Sequence, residues 1–264
     1  VAGYAQTIWN PEHLTWKQKL FILHRDRVYF LSQIFIKFGQ TWKHTNVTHI
    51  IPGFASMYRT SVLQHITMNP PGLVIEDFNM TFEIHHKRLG IIAHHPNAIG
   101  YTQDPDNRRD YYRQIKRWHL GLWQTIRHHG FWPSKFWAAF LVTLIETVLG
   151  SIVFLCVPTI LLVATFLGLI AELPSMAEVS LLDWAPSYSF VGSYLLWILI
   201  VLWLSDYWLT IIAAVWQDRP QYLLYGLLFP FVRVLDAIAF LAAIPKAFLV
   251  TSTGRWISPT RRAS

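Results

Sequence analysis

Hydrophobic and polar positions along the first 133 residues follow the short periods of an α/β region. Residues 1–9 (VAGYAQTIW) read as a strand, and 20–38 carry apolar side chains at helical spacing. The run 47–59 reads as a strand, a turn at Pro52-Gly53 and a second strand, and Asn69-Pro70-Pro71-Gly72 is a loop. Phe78, Phe82 and Leu89 share one side of a helix over 78–89 that Gly90 stops. A further strand starts over 90–95, and 109–128 form a second helix. Beyond Pro133 the pattern changes. Three apolar stretches, 136–170, 188–216 and 221–250, are broken only by Glu146, by Asp206, and by Arg233, Asp236 and Lys246. A bilayer core of about 30 Å needs roughly 20 helical residues, so each stretch has the length to span. The first is too long for one span and too short for two. It predicts an interfacial helix over 136–150 feeding a span over 151–170. Arg233 and Asp236, one turn apart, predict a structural pair in a bent third stretch, and Cys156 is expected in an apolar core.

Composition agrees with a membrane-associated chain. Of 264 residues, 53% are hydrophobic and only 14% charged, where soluble domains carry about 25%. One cysteine excludes a disulfide scaffold and a cysteine-ligated zinc site. The net charge of +7 arises wholly before residue 134, where all 12 histidines also lie. The histidine pairs 85–86, 94–95 and 128–129 point to different sides of their elements and chelate poorly together. The connection over 171–186 holds Glu172, Glu178 and Asp183 and no lysine or arginine. The positive-inside rule then places 1–133 in the cytoplasm. The expected architecture is an α/β region over 1–133 followed by an α-helical membrane bundle over 134–264 with about three spans, in an integral protein of the plasma or inner membrane.

Two groups of residues carry candidate chemistry. Glu76-Asp77 directly precede the helix at Phe78. A carboxylate there meets free backbone N–H groups and the positive end of the helix dipole. It can take a proton from an attacking hydroxyl, although taken alone the pair reads first as a helix cap. Gln114, Arg117 and Trp118 fall at i, i+3 and i+4 on one helix face. Arginine clamps phosphate oxygens, tryptophan stacks on sugar rings and glutamine bonds hydroxyls. Taken alone, this face reads equally as a basic helix lying beside lipid headgroups. With basic residues at 108, 109, 113, 116 and 117, it suits anionic lipid or a diphosphate better than nucleic acid.

Ile75-Glu76-Asp77 and the Gln114-x-x-Arg117-Trp118 motif, in this order and ahead of apolar helices, resemble the processive inverting glycosyltransferases of family 2. These are the cellulose, chitin, hyaluronan and poly-N-acetylglucosamine synthases. The segment 51–59 around Gly53 and the Arg88-Leu89-Gly90 stretch are similar to the family's flanking segments, with Ile75 where Thr or Val is usual. The resemblance implies the second half of a GT-A type domain. Asp77 would be the general base, supported by Glu76. Gln114, Arg117 and Trp118 would bind acceptor and diphosphate, and Gly53 would line the acceptor cleft.

It also implies a nucleotide-sugar donor, a polysaccharide or lipid acceptor, and a divalent metal, Mg or Mn. No D-x-D precedes Asp77, and Asp104-Pro105-Asp106 comes after it. The donor-binding half and most metal ligands are therefore expected outside this chain, upstream or on a partner chain, and Val1 is no initiator methionine. Two alternatives remain: a non-processive relative that glycosylates a lipid, and a non-catalytic membrane subunit of a polysaccharide synthase.

Overall fold

The computed structural model describes residues 1–171, 185–252 and 254. It is mostly helical around one small sheet. Strand β1 (Ala2–Thr7) pairs in parallel with β2 (His94–Thr102), with Tyr4 opposite Ile99 and Thr7 opposite Thr102. Five of the six β1 residues are buried, as suits the centre of a parallel sheet. Its other edge takes only a short antiparallel contact from 55–57, through Gly3 N–H to the Ala55 carbonyl (2.7 Å) and Met57 N–H to the Val1 carbonyl (2.9 Å). The hairpin expected over 47–59 does not form. Pro52 cannot donate to a ladder, and the Pro52-Gly53 turn carries the chain away towards the next helices. Gly3 sits where the three segments crowd. A Cβ there would lie 2.4 Å from the Ala98 carbonyl oxygen.

Helix α1 (Trp16–Phe30) starts at a capping box between Thr15 and Gln18 and passes without a break into a wide π turn, Leu31–Lys37, and then α2 (Phe38–Gln40). Gln33 of the π turn imitates a neighbouring strand. Its Oε1 accepts from Ala5 N–H (2.8 Å) and its Nε2 donates to the Ala5 carbonyl (3.1 Å). After the short α3 (Thr60–Leu63), α4 (Glu76–His86) buries Phe78 and Phe82. Phe82 enters an aromatic cluster with Phe136, Trp137 and Phe140. Helix α5 (Arg108–His129) is capped by Asn107, whose Oδ1 accepts from Asp110 N–H (3.0 Å).

Helix α6 (Lys135–Ala171) is one continuous helix with Pro158 inside it, so the two segments expected over 136–170 are not separated. Helix α7 (Ala185–Trp216) follows. Lys135–Leu167 and Gly192–Trp216 are long and apolar enough to cross a membrane, with mean hydropathies of 2.4 and 2.1. Cys156 is exposed on the outer side of α6 rather than in a core. The third apolar stretch divides into α8 (Gln221–Gly226) and α9 (Phe229–Leu249). Pro230, in the first turn of α9, suits a fresh helix start there.

The two halves of the chain are joined through buried charge. Arg27 of α1 donates through Nη1 to Asp206 Oδ2 of α7 (2.8 Å) and to Thr210 Oγ1 (2.7 Å). Arg233 of α9 reaches the other Asp206 oxygen at 2.6 Å. The Arg233–Asp236 pair expected from spacing is thus replaced. Asp236 instead accepts from the Tyr111 hydroxyl of α5 (2.8 Å). Asp26 of α1 accepts from Arg219 and from the Tyr222 hydroxyl. Two or more partners around Asp206 and around Asp26 offset much of the cost of drying those carboxylates.

Candidate active site

A cleft of about 380 Å³ opens between the C-terminal part of α1, the π turn, the start of α4 and the middle of α5. Gly53, Glu76, Asp77, Gln114, Arg117 and Trp118 all line it. Residues 38 positions apart in sequence meet because α5 lies close against the N-terminus of α4. The contact is made at Gly121, where a Cβ would stand 2.7–2.8 Å from three side-chain atoms of Ile75. Ile75 is the residue that caps α4 and holds Glu76-Asp77 in place. Gly121→Ala is expected to destabilise the fold by about 1–3 kcal/mol through overpacking. It also displaces the carboxylates, so turnover falls further than stability alone explains. Thermal unfolding and steady-state rates on the same preparation check this.

Asp77 occupies the first turn of α4. Its Oδ1 accepts from Phe78 N–H (2.8 Å), and the Gly53 N–H also bonds the carboxylate. Burial and the adjacent Glu76 push its pKa up to about 6, against the two backbone donors and Arg117, which favour the anion. Gly53 leaves room here. A Cβ on it would lie 3.4 Å from Glu76 Oε1 and 3.9 Å from Asp77 Oδ2. Arg117 is half-buried and feels both carboxylates. Burial lowers its pKa, yet a guanidinium stays charged in proteins.

The Gln-x-x-Arg-Trp face is held from behind by Arg25, a residue that sequence reasoning missed. Arg25 is buried and donates through Nη2 to Gln114 Oε1 (3.1 Å). Because arginine only donates, this bond fixes the Gln114 amide and leaves its N–H groups as the remaining donors. The same guanidinium lies 4.4 Å from the Trp118 ring centre and 4.6 Å from that of Tyr111. Tyr29, also in the cleft wall, donates to Asp104 Oδ1 (3.0 Å), and Thr7 donates to Asp104 Oδ2 (2.7 Å). Asp104 is therefore occupied in joining β1, β2 and α1.

Lys37 was missed as well. It lines the same cleft from the end of the π turn, and burial draws its ammonium down to about 8 while Asp77 opposes that shift. A signal for both π-turn residues was present in the sequence. Gln33 and Lys37 are polar positions four apart on either side of the apolar run Ile34-Phe35-Ile36.

For a divalent metal the cleft offers two carboxylates, Glu76 and Asp77. Among the described residues no group of three or more His, Cys, Asp or Glu is arranged to hold an ion. These residues alone do not compose a metal site, and no step below runs through one.

No curated protein and no solved structure matches the chain. A family model described as glycosyl transferase family group 2 matches residues 18–171. That span, more than half of the chain, runs from the first turn of α1 to the end of α6. It carries Gly53, the Glu76-Asp77 pair and the Gln114–Trp118 face, along with Arg25 behind that face and Lys37 in the cleft wall. By that match the chain belongs to glycosyl transferase family group 2.

Proposed function

We propose that this chain is the acceptor-side half of a membrane-bound, inverting glycosyltransferase. In this reading the enzyme moves a sugar from a nucleotide-sugar to a growing polysaccharide and helps the polymer across the membrane. The observation that carries the reading is the cleft itself. Six residues chosen from sequence for one reaction line one wall-to-wall space, with Asp77 between a base's neighbours and Arg117. Family membership implies a nucleotide-sugar donor and an acceptor. In the region 1–133, taken as cytoplasmic, the acceptor hydroxyl gives its proton to the Asp77 carboxylate. Its oxygen forms the new bond to the anomeric carbon, and the nucleoside diphosphate departs with the electron pair of the old one. Arg117 meets the charge that develops on that leaving group. Trp118 is a platform for a sugar ring, and Gln114 bonds its hydroxyls. The region 134–264, with α6 and α7 as spans, supplies the membrane anchor and the polymer's route.

Asp77 works in its ionised form. kcat/KM therefore rises as pH increases through about 6 and is lost below it. Glu76→Gln removes the like charge beside it and moves that acid limb to lower pH, while Asp77 still serves as base. Profiles of kcat/KM between pH 4.5 and pH 8 test this. An acid limb that stays in place in Glu76→Gln would mean that another group sets it. Product length, measured by size-exclusion of the extracted glycan, separates a polymer from a single sugar added to a lipid. Formation of neither product, with the donor intact, supports the non-catalytic subunit.

A further inference from the structure

Helix α5 has a second charged side, turned away from the cleft. Arg108, Arg109, Tyr112, Arg113 and Lys116 of α5, with Leu235 of α9, line a hollow of about 500 Å³. At about 3.6 residues per turn, Tyr112 and Lys116 lie opposite Gln114 and Trp118, and the hollow and the cleft share no lining residue. Four cations meet in this hollow, and no carboxylate is part of its lining. The acidic residues close by in sequence have other partners. Asp110 accepts from Asn107 Nδ2 (3.0 Å) and faces Arg113 (3.6 Å), and Asp106 accepts from Gln18 (2.6 Å). Even with both counted, the four cations leave a positive excess.

This charge runs against local helix energetics. Arg108 and Arg109 occupy the first turn of α5, where the positive end of the dipole disfavours cations. Lys116 stands over the Tyr112 ring, 5.6 Å from its centre, and Lys246 of α9 comes up beside it. Gathering like charges is unfavourable unless an anion is shared among them. The hollow also adjoins an apolar stripe. Phe231, Leu235, Ile238 and Leu249 fall on one face of α9, and Phe231, Ile238 and Leu249 are exposed. Leu235 belongs to both the stripe and the hollow. Helix α9 packs against α6, whose length and hydropathy suit a membrane span, so the stripe continues an apolar surface. A soluble phosphate would meet the cations and leave this stripe bare.

We propose that the hollow binds the phosphate headgroup of an anionic phospholipid, whose acyl chain lies along the α9 stripe. Arginine forks suit phosphate oxygens, and the anionic cytoplasmic leaflet attracts basic segments of this kind. The proposal rests on the chain being membrane-bound with 1–133 on the cytoplasmic side, and it is independent of the role of Asp77. The bound lipid holds α5 at the membrane surface, with its Gln114–Trp118 face turned to the cleft.

The test is native mass spectrometry of the intact protein in detergent, titrated with phosphatidylglycerol or with phosphatidylcholine of the same acyl chains. Wild type should bind the first phosphatidylglycerol about tenfold more tightly. The triple variant Arg109→Gln, Arg113→Gln, Lys116→Gln should lose that preference. Lys17→Gln, Lys43→Gln, Arg127→Gln removes the same charge from exposed positions elsewhere and should keep it. Equal loss in both triple variants would mean that net charge alone attracts the lipid, and overturns the site. Displacement of the lipid by inorganic phosphate, at ionic strength matched with chloride, overturns the lipid and makes a soluble anion the ligand. If the first triple variant does not fold, Arg108→Gln with Arg109→Gln decides in its place, since losing two cations from the first turn suits the helix dipole. Protein found in the membrane fraction without a lipid preference overturns the site alone. Protein found in the soluble fraction overturns the site and the membrane reading together.

Discussion

Asp77→Asn is expected to lower sugar transfer by about 10²–10⁴-fold, the usual contribution of a positioned general base, with folding and membrane insertion unchanged. The substitution keeps the size of the side chain and one oxygen for the Phe78 and Gly53 N–H groups, so the start of α4 retains its anchoring. It also removes a buried charge that sits unfavourably beside Glu76, and stability should not suffer. What is lost is the place for the proton. Asp77→Glu is the useful companion, because it keeps the carboxylate and moves it by about one methylene into the cleft, away from the Phe78 and Gly53 N–H groups. A partial loss there with a total loss in Asp77→Asn separates chemistry from packing. Donor turnover at saturating acceptor, with size-exclusion profiles in detergent for each variant, reads both quantities.

The largest effect on stability is expected at Asp206. Asp206→Ala leaves the Arg27 guanidinium, 2% exposed, with the Thr210 hydroxyl and a main-chain carbonyl to accept its hydrogen bonds and no anion beside it. Stranding a buried charge in this way costs about 3–5 kcal/mol, and α1 would lose its hold on α7. Since α1 also carries Arg25 and leads into the π turn, the cleft should loosen with it. Arg233→Met supplies the contrast. Arg233 bonds the same carboxylate, but its side chain is 42% exposed, so its removal should cost no more than about 1 kcal/mol. Thermal unfolding in detergent, followed by tryptophan fluorescence, should place the two variants far apart. Equal midpoints would show that the Arg27–Asp206 pair does not hold the two halves together.

What sequence revealed and what it hid divide along a physical line. The helices that carry the candidate residues were legible because their signals are local. A carboxylate pair ahead of Phe78 marked the start of α4, and the i, i+3, i+4 spacing of Gln114, Arg117 and Trp118 placed them on one face of α5. Convergence on one cleft follows from those two elements together with Gly53. Contacts made across the chain were hidden. Nothing near Arg25 says that it will lie behind Gln114, 89 positions away. Arg233 chose Asp206 over the nearer Asp236 because α7 brings a carboxylate already facing Arg27. Nor does the helical spacing of 20–38 say that Arg25, Asp26 and Arg27 will be buried between the halves. The 47–59 hairpin failed for a related reason. Its alternation fits a strand, but only 55–57 find a partner edge on β1.

The central claim is that the Asp77 cleft carries out a direct displacement by a base-activated hydroxyl. The measurement that tests it most directly is the anomeric configuration of the newly formed bond. The intact protein in membranes is supplied with α-linked UDP-sugars, and the product linkage is read by NMR from the anomeric coupling. One displacement inverts the centre, so the account predicts a β-linkage, with one nucleoside diphosphate released per sugar transferred. An α-linked product would contradict it, because retention requires a different route from the single displacement proposed for Asp77 and Arg117.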